Sequence, residues 1–130
     1  MHTIIQHLRK MQFTAHNGHQ LVVGATAPSD HKFLGKLYPE YDAAYDGLVE
    51  LQLAEGGRPK VESLTAAAAG DVLNYTTIDS CLKELLECEL KLRSMLDSLA
   101  ANESFGTQNF LAQLAEDSLR RTYHLNARLG

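Results

Sequence analysis

Two histidines and two carboxylates in the first half of this 130-residue sequence have the residue types and the spacing to bind a metal ion. His19 and His31 are twelve positions apart, and an Asp-x3-Glu pair, Asp46 and Glu50, begins fifteen residues later. Imidazole and carboxylate ligands together suit iron, zinc or manganese, and open coordination positions make such a site reactive. On a helix the two carboxylates would face one direction and could bridge metal ions. The four residues are therefore candidate ligands of a metal centre.

The distance between the histidine pair (His19 and His31) and the acidic pair (Asp46 and Glu50) decides whether one chain could hold such a centre. At about 1.5 Å of rise per residue, Asp46 would lie about 22 Å from His31 along a helix. No single metal ion could contact both ends. If the pairs act together, they must come from two chains whose helices pack antiparallel about a two-fold axis. The same residues could instead be helix-end histidines and solvated helix charges, and spacing alone does not separate these interpretations.

The periodicity of apolar residues predicts an all-helical chain. Ile4, Leu8, Met11 and Ala15, for example, recur at intervals of three and four residues. The predicted helices cover about residues 3–22, 31–54, 77–101 and 107–128, with a short helix within residues 60–69. We expect a single domain over residues 1–130, built as a four-helix bundle with a short extra helix between helices two and three.

The second helix has two ambiguous features. Residues 24–30, GATAPSD, are predicted to be a loop, with Ser29 or Asp30 as the N-cap of the helix. Pro39 either kinks the helix or stands in the first turn of a helix that begins there. The run EGGRP at residues 55–59 ends the helix.

The third helix carries both cysteines of the sequence. Cys81 and Cys88 would lie about 10 Å apart along a helix, whereas a disulfide needs Cα atoms closer than about 7 Å. They are predicted to be reduced core residues, and their spacing fits neither a redox motif nor a zinc ribbon. The charged residues of this helix, among them Glu87, Glu89 and Lys91, are predicted to form a solvated face.

The composition argues against several classes of function. The net charge is −4, and the scattered Lys and Arg residues give no electrostatic footprint for nucleic acid. No apolar run approaches the roughly 18 residues of a membrane span. The first residues lack the pattern of a secretory signal. We therefore expect a cytoplasmic protein without a membrane partner.

Three stretches resemble Dps-type mini-ferritins, a family within the ferritin-like superfamily. Residues 15–24, AHNGHQLVVG, resemble the end of that family's first helix, where a His-Asn-x-His pattern is typical. From His31 to Glu50 the sequence is similar to the family's second-helix motif, in which a histidine is followed by Leu-Tyr and then Asp-x3-Glu at matching spacing. Residues 55–59 resemble the lead into the family's short extra helix, and the fourth helix is similar but looser.

The resemblance implies a homo-oligomer in which two-fold dimers form a dodecameric shell. Ferrous iron would bind at the dimer interfaces, to His19 and His31 of one subunit and to Asp46 and Glu50 of its two-fold mate. This ferroxidase site would convert Fe2+ to Fe3+, generally with hydrogen peroxide in this family, for storage as a mineral. Zinc or manganese could bind instead. Family members often bind DNA through a flexible Lys/Arg-rich tail, and because neither end of this sequence offers one, we expect no strong DNA binding.

One departure from the family pattern affects the site itself. Four residues after the second histidine the family usually has an Asp or Glu ligand, whereas this sequence has Gly35. Asp30, Asp42, His16 or Tyr38 could compensate, or the bound metal could differ. Two alternatives therefore remain: an impaired cage or interaction protein that has lost efficient iron oxidation through Gly35, and a simple helical dimer that binds zinc or manganese structurally.

Overall fold

The structure, a computed structural model, describes residues 1–58 and 77–130. The described ranges contain four long helices, which we number α1 (His2–Leu21), α2 (Ala27–Ala54), α3 (Ile78–Ala100) and α4 (Phe105–Leu129). No strand occurs in these ranges, and the prediction of an all-helical bundle is confirmed. The short helix predicted within residues 60–69 lies outside the described residues. None of the four helices is both long enough and apolar enough to cross a membrane.

The helices pack around a shared hydrophobic core. α1 packs along α2, α3 packs along α4, and α1 also contacts α3. Each helix contributes a leucine whose exposure is 1% or less, for example Leu8, Leu48, Leu85 and Leu111. Burying the apolar face of each helix is the main stabilising contribution to such a bundle. The contact between α1 and α2 is the one that positions the candidate site.

α2 begins earlier than the sequence pattern predicts. It starts at Ala27, with Thr26 at the N-cap position and Pro28 in its first turn. Proline is favoured there because its φ angle is already helical and its missing N–H needs no partner. The prediction of Ser29 or Asp30 as the N-cap is wrong, because both residues lie inside the helix.

α2 is continuous through Pro39, which excludes a helix that begins at that residue. Leu37 and Tyr41 on either side of the proline are buried, so core packing holds the helix where its backbone loses a hydrogen bond. His31 and Asp46 therefore belong to one helix.

The two helices of the second half begin with side-chain caps. The hydroxyl oxygen of Thr77 accepts a hydrogen bond from the backbone N–H of Ser80 at 3.2 Å. That of Ser104 accepts one from the backbone N–H of Thr107 at 3.3 Å. Because Ser104 supplies the cap, α4 begins at Phe105, slightly before the predicted start.

Both cysteines are buried free thiols in α3, as predicted. Burial raises the pKa of Cys81 and of Cys88 to about 12, so both remain protonated at neutral pH. Cys81 also faces α1 closely, since a Cβ on Gly18 would lie only 2.6 Å from its sulfur. Gly18 thereby allows α1 to approach α3 just before the helix ends at the candidate site.

Candidate metal centre

The structure brings His19 and His31 together where α1 ends and α2 begins. His19 lies in the last turn of α1, and His31 lies near the start of α2. Their ring centroids are 3.7 Å apart and their planes differ by 20°, so the two imidazoles are stacked. His31 is exposed and His19 is partly exposed, which places the histidine pair at the surface of this chain.

Each histidine of the pair is held by a hydrogen bond to the backbone of the other. Nδ1 of His19 lies 2.7 Å from the carbonyl oxygen of His31, and Nδ1 of His31 lies 2.6 Å from the carbonyl oxygen of His19. A carbonyl oxygen only accepts, so both Nδ1 atoms must carry the proton and donate. In the neutral rings, Nε2 is then the nitrogen with the free lone pair. Histidines that bind metal ions commonly have this arrangement, in which one ring nitrogen donates to a carbonyl and the other faces the metal.

Gly35 provides the space that the His19 ring occupies. A Cβ at position 35 would lie 3.0 Å from Cε1 and 3.2 Å from Nδ1 of His19. These distances are shorter than ordinary van der Waals contact between carbon atoms, so the imidazole rests against the bare backbone of α2. The sequence indicated only that a carboxylate was missing here. The glycine one turn after His31 is visible in the sequence. That it leaves room for the His19 ring follows only from the packing of α1 on α2.

The acidic pair lies elsewhere on α2. Asp46 and Glu50 are exposed and one turn apart on the same helix as His31, so the helical rise separates Asp46 from His31 by about 22 Å. Within the described residues of one chain, no three His, Cys, Asp or Glu side chains are placed to hold a metal ion together. The chain therefore brings its two histidines together but does not join them to its own two carboxylates.

Neither nearby aspartate replaces the missing carboxylate. Asp30 is buried and accepts hydrogen bonds from Nε and Nη2 of Arg128 at 2.7 and 2.9 Å. These hydrogen bonds are the main reason that the pKa of Asp30 is lowered. Asp42 is exposed and pairs with Arg9 at 3.3 Å.

Aromatic rings lie beside the histidine pair instead. The rings of His16 and Tyr38 are stacked with centroids 4.1 Å apart, and the Tyr38 ring lies 5.3 Å from that of His19. His16 is thus packed against Tyr38, and its ring centroid is 6.4 Å from that of His19. The histidine pair is supported by ring stacking on one side and by bare helix backbone on the other.

The bundle interior contains a separate polar cluster, which we call the interior network: Tyr41, Glu89, Ser118 and Arg121. The carboxylate of the fully buried Glu89 accepts hydrogen bonds from Tyr41 at 2.7 Å, from Ser118 at 2.5 Å and from Arg121 at 2.6 Å. Burial is the largest cause of the raised pKa of Tyr41, so the phenol stays protonated and can donate. The prediction that Glu89 belongs to a solvated face is wrong, because this residue points inward.

The interior network bears on where a metal could bind. Di-iron proteins with a four-helix bundle place Glu and His ligands from all four helices in the bundle centre. Here Glu89 is already neutralised by Arg121, a cation that would repel a metal ion. The described part of the bundle interior is therefore unsuited to a di-iron centre, and the histidine pair at the surface fits a borderline divalent cation better.

Comparisons with known proteins give matches in structure but not in sequence. No protein-family model and no curated protein sequence matches the chain. The solved structure of Dps from Listeria monocytogenes is similar over 99% of this chain and 89% of that protein, with a TM-score of 0.85 and 22% identity. Antigen TpF1 from Treponema pallidum is similar over 98% of this chain and 91% of that protein, with a TM-score of 0.77 and 21% identity. The chain therefore has the ferritin-like fold of Dps-type proteins.

Proposed function

We propose that this chain oxidises Fe2+ and stores the product in a Dps-like shell, at iron sites formed by two subunits. The proposed ligands and catalytic residues are His19 and His31 of one subunit and Asp46 and Glu50 of the partner subunit. In this proposal two-fold dimers assemble into a dodecameric, cytoplasmic shell that does not bind DNA strongly. Iron is the substrate, and zinc or manganese ions would compete for the same ligands.

The arrangement of the histidine pair is the observation that carries this proposal. Two imidazoles at the surface donate through Nδ1 to backbone carbonyls, and their Nε2 atoms have no hydrogen-bond partner within the described residues. The reciprocal hydrogen bonds would also serve a structural pair, so the observation that supports metal binding is that both Nε2 atoms are left unengaged. Among the described residues only these two candidate ligands lie together here, so the proposal takes the remaining ligands from another chain.

The surface of α2 supports pairing through that helix. An exposed row follows the helix at alternating intervals of four and three residues, and we call it the α2 stripe: Lys32, Lys36, Pro39, Ala43, Asp46 and Glu50. This spacing is that of a helix face which packs along another helix. The stripe includes the acidic pair and begins next to His31, so a partner that covers it also reaches both halves of the proposed site.

The charges of the α2 stripe favour an antiparallel second copy as that partner. Lys32 and Lys36 lie at one end, and Asp46 and Glu50 lie at the other. Under a two-fold axis near the middle of the stripe, the basic end of one helix faces the acidic end of the other, twice per dimer. The same operation moves the acidic pair of the partner subunit towards His31. A parallel arrangement would place like charges together and leave the two halves of the site apart.

Hydrogen peroxide is the proposed oxidant. One peroxide accepts two electrons, one from each of two Fe2+ ions, and its O–O bond breaks to give two hydroxide ions and two Fe3+ ions. When both electrons arrive together, no hydroxyl radical is released from a one-electron reduction. Asp46 and Glu50 are one turn apart, so their carboxylates could bridge two ions and hold them for this reaction.

Complementation between two inactive variants tests whether the site is shared. The first variant carries His19→Ala and His31→Ala, and the second carries Asp46→Ala and Glu50→Ala. When peroxide follows anaerobic addition of Fe2+, each variant alone should give no more ferric absorbance than the same reaction without protein. Co-expressed chains form mixed dimers, and each mixed dimer regains one complete site, so about a quarter of all sites should be complete if the chains pair at random.

The outcome of mixing separates a shared site from a site within one chain. Recovery of ferric absorbance only in the co-expressed sample supports the proposal. If the co-expressed chains assemble but remain inactive, no site is made from both chains and the proposal is wrong. If either double variant oxidises iron by itself at the rate of the unaltered chain, the substituted residues are not the ligands.

The impaired cage is the second candidate function, and Gly35 is the observation that favours it. Among the described residues, neither Asp30, which is bonded to Arg128, nor Asp42, which pairs with Arg9, replaces the absent ligand. A shell-sized particle in light scattering together with a flat ferric absorbance trace would favour this candidate. A particle of dimer size that retains zinc or manganese would favour a structural metal site.

A further inference from the structure

Gly35 does more than omit a carboxylate, because the His19 ring fills the space that a side chain would take. The ring lies against the α2 backbone, within 3.0 Å of where a Cβ would be. In this position it stacks on His31 at 3.7 Å between ring centroids and donates to the His31 carbonyl oxygen at 2.7 Å. A Cβ at this position would require the ring to shift by a few tenths of an ångström from its place against the helix.

The consequence is a nitrogen-rich set of ligand atoms on the histidine side of the site. Two imidazoles meet there, while the nearest aspartate in sequence, Asp30, is buried and bonded to Arg128. Imidazole suits zinc, cobalt, nickel, copper and ferrous iron, whereas carboxylate suits manganese and magnesium. A carboxylate at position 35 would supply oxygen ligands, and nitrogen would then make up a smaller share of the ligand atoms.

We propose that Gly35 is the position that determines metal specificity, because it seats His19 on α2 and so favours nitrogen-preferring divalent cations over Mn2+. This inference rests on the proposed function, since it takes the histidine pair as cation ligands. Gly35 is a positioning residue here: it contacts no metal and acts through the His19 ring. Iron remains the substrate, and the inference concerns which other cations compete with it.

Two substitutions at this position separate the steric effect from the effect of charge. Gly35→Ala adds only the Cβ, and Gly35→Asp adds the same Cβ with a carboxylate. The affinities of the unaltered protein and both variants for Co2+ and for Mn2+ would be measured by titration with each metal alone. Co2+ has visible absorption bands that report nitrogen ligation, and circular dichroism would show whether each variant folds.

The expected results differ between the two variants. Gly35→Ala should lower Co2+ affinity by about tenfold, which is the scale on which loss of an orienting hydrogen bond alters metal binding. Gly35→Asp should raise the affinity for Mn2+ relative to Co2+ by about tenfold, since it supplies an oxygen ligand. Crystal structures without metal should show the His19 ring displaced by a few tenths of an ångström in Gly35→Ala, with a weaker hydrogen bond from Nδ1 to the His31 carbonyl oxygen than in the unaltered protein.

The inference and the proposed function fail in different ways. If the unaltered protein binds both cations and neither substitution changes the ratio of their affinities, Gly35 does not determine specificity, while the proposed site stands. If Gly35→Ala retains the His19 hydrogen bond and the Co2+ affinity, the positioning role is wrong. If the unaltered protein binds neither cation, the proposed function itself fails and the inference fails with it.

Discussion

Two polar clusters in the described part of the bundle, the interior network and the histidine pair, differ in whether their hydrogen-bonding atoms are used within the chain. In the interior network, the Glu89 carboxylate receives hydrogen bonds from three side chains on two other helices, and its charge is matched by Arg121. In the histidine pair, each ring uses Nδ1 for the backbone of the other, and Nε2 has no hydrogen-bond partner within the described residues. The first cluster is almost fully buried and the second lies at the surface.

The difference supports the interpretation of the interior network as structural and of the histidine pair as the candidate site. A buried charge is tolerated when hydrogen bonds and an opposite charge surround it, and it then offers nothing to a ligand. A binding site usually consists of ligand atoms that the protein holds in a fixed orientation and that have no partner within the chain. Di-iron proteins hold the metal in the bundle interior, so polar residues alone would point to the interior network as the metal site. The hydrogen-bond partners within each cluster favour the histidine pair at the helix ends instead.

Removal of Arg121 should have the largest effect on stability. Arg121→Met leaves the buried Glu89 charge without its counter-ion, which should lower the free energy of unfolding by about 3–5 kcal/mol. The neighbouring Arg120 is the matched control, because it is half exposed and pairs with Glu40 at 2.9 Å. Arg120→Met should cost at most about 1 kcal/mol.

Chemical denaturation of both arginine variants checks this comparison. Equal losses in Arg121→Met and Arg120→Met would mean that the interior network does not hold the bundle together. Metal binding serves as a second measurement, since neither arginine belongs to the proposed site. A large loss of cation affinity in a folded Arg121→Met protein would contradict the separation of the two clusters.

The helices were predictable because they depend on local patterns, whereas the interior network depends on contacts that are distant in sequence. Spacing of apolar residues located all four described helices to within a few residues. Glu89, in contrast, lies between charged neighbours such as Glu87 and Lys91, and nothing near it in sequence indicates burial. Its counter-ion, Arg121, is 32 residues away, so only the packing of α3 on α4 shows that the two side chains meet.

The candidate site was predictable in its residue types but not in its geometry. The separation of twelve residues placed His19 and His31 on successive helices, and the resemblance to mini-ferritins predicts that they are ligands. Their stacking, the reciprocal hydrogen bonds and the seat provided by Gly35 depend on how α1 crosses the start of α2. Core packing across the bundle determines how α1 crosses α2. The spacing of the site residues contains no information about that packing.

Removal of His31 tests the second cluster of the comparison. His31→Ala takes away one ligand and the ring that stacks on His19, so the affinity for Co2+ should fall by at least about tenfold. The size of the assembly should not change, because the side chain is exposed and the core beneath it is unaltered. Titration with Co2+ and light scattering measure the two effects.

The exposed His2 near the start of α1 provides a matched control for the loss of an imidazole. His2→Ala should leave Co2+ affinity unchanged. Dissociation of the assembly in His31→Ala, without a change in metal affinity of the remaining folded protein, would show that His31 is structural.

The ion pair of Asp30 and Arg128 is intermediate between the interior network and the histidine pair. Its two groups bond to each other within the chain, but Arg128 is only partly buried. The hydrogen bonds from Arg128 keep the pKa of Asp30 below its value in the unfolded chain. Its contribution to stability is therefore complete above about pH 4, the unfolded value, and is lost as the pH falls through the lower pKa of the folded state.

Asp30→Asn should remove that contribution. The variant should be less stable than the unaltered protein at pH 7, by less than Arg121→Met, and its stability should fall less steeply below about pH 4. Denaturation curves at a series of pH values measure both. Cation affinity should not change, although Asp30 adjoins His31 in sequence, and a marked loss of Co2+ binding in a folded variant would mean that this carboxylate belongs to the site.

The smallest effect is expected from the charges of the α2 stripe, whose partners are proposed to lie in another chain. Lys36→Asp should weaken the dimer, because it places an acidic residue against the acidic end of the partner helix, at a cost of roughly 0.2–1 kcal/mol for each exposed pair. Adding Asp46→Lys to the same chain reverses both charges and should restore dimer strength without restoring metal binding. Sedimentation at low and high salt measures the dissociation, and the difference between the single and double variants should shrink at high salt, where exposed charges are screened. If the double variant dissociates more than Lys36→Asp alone, the two residues do not face each other across a two-fold axis, and the acidic pair would need another route to the histidines.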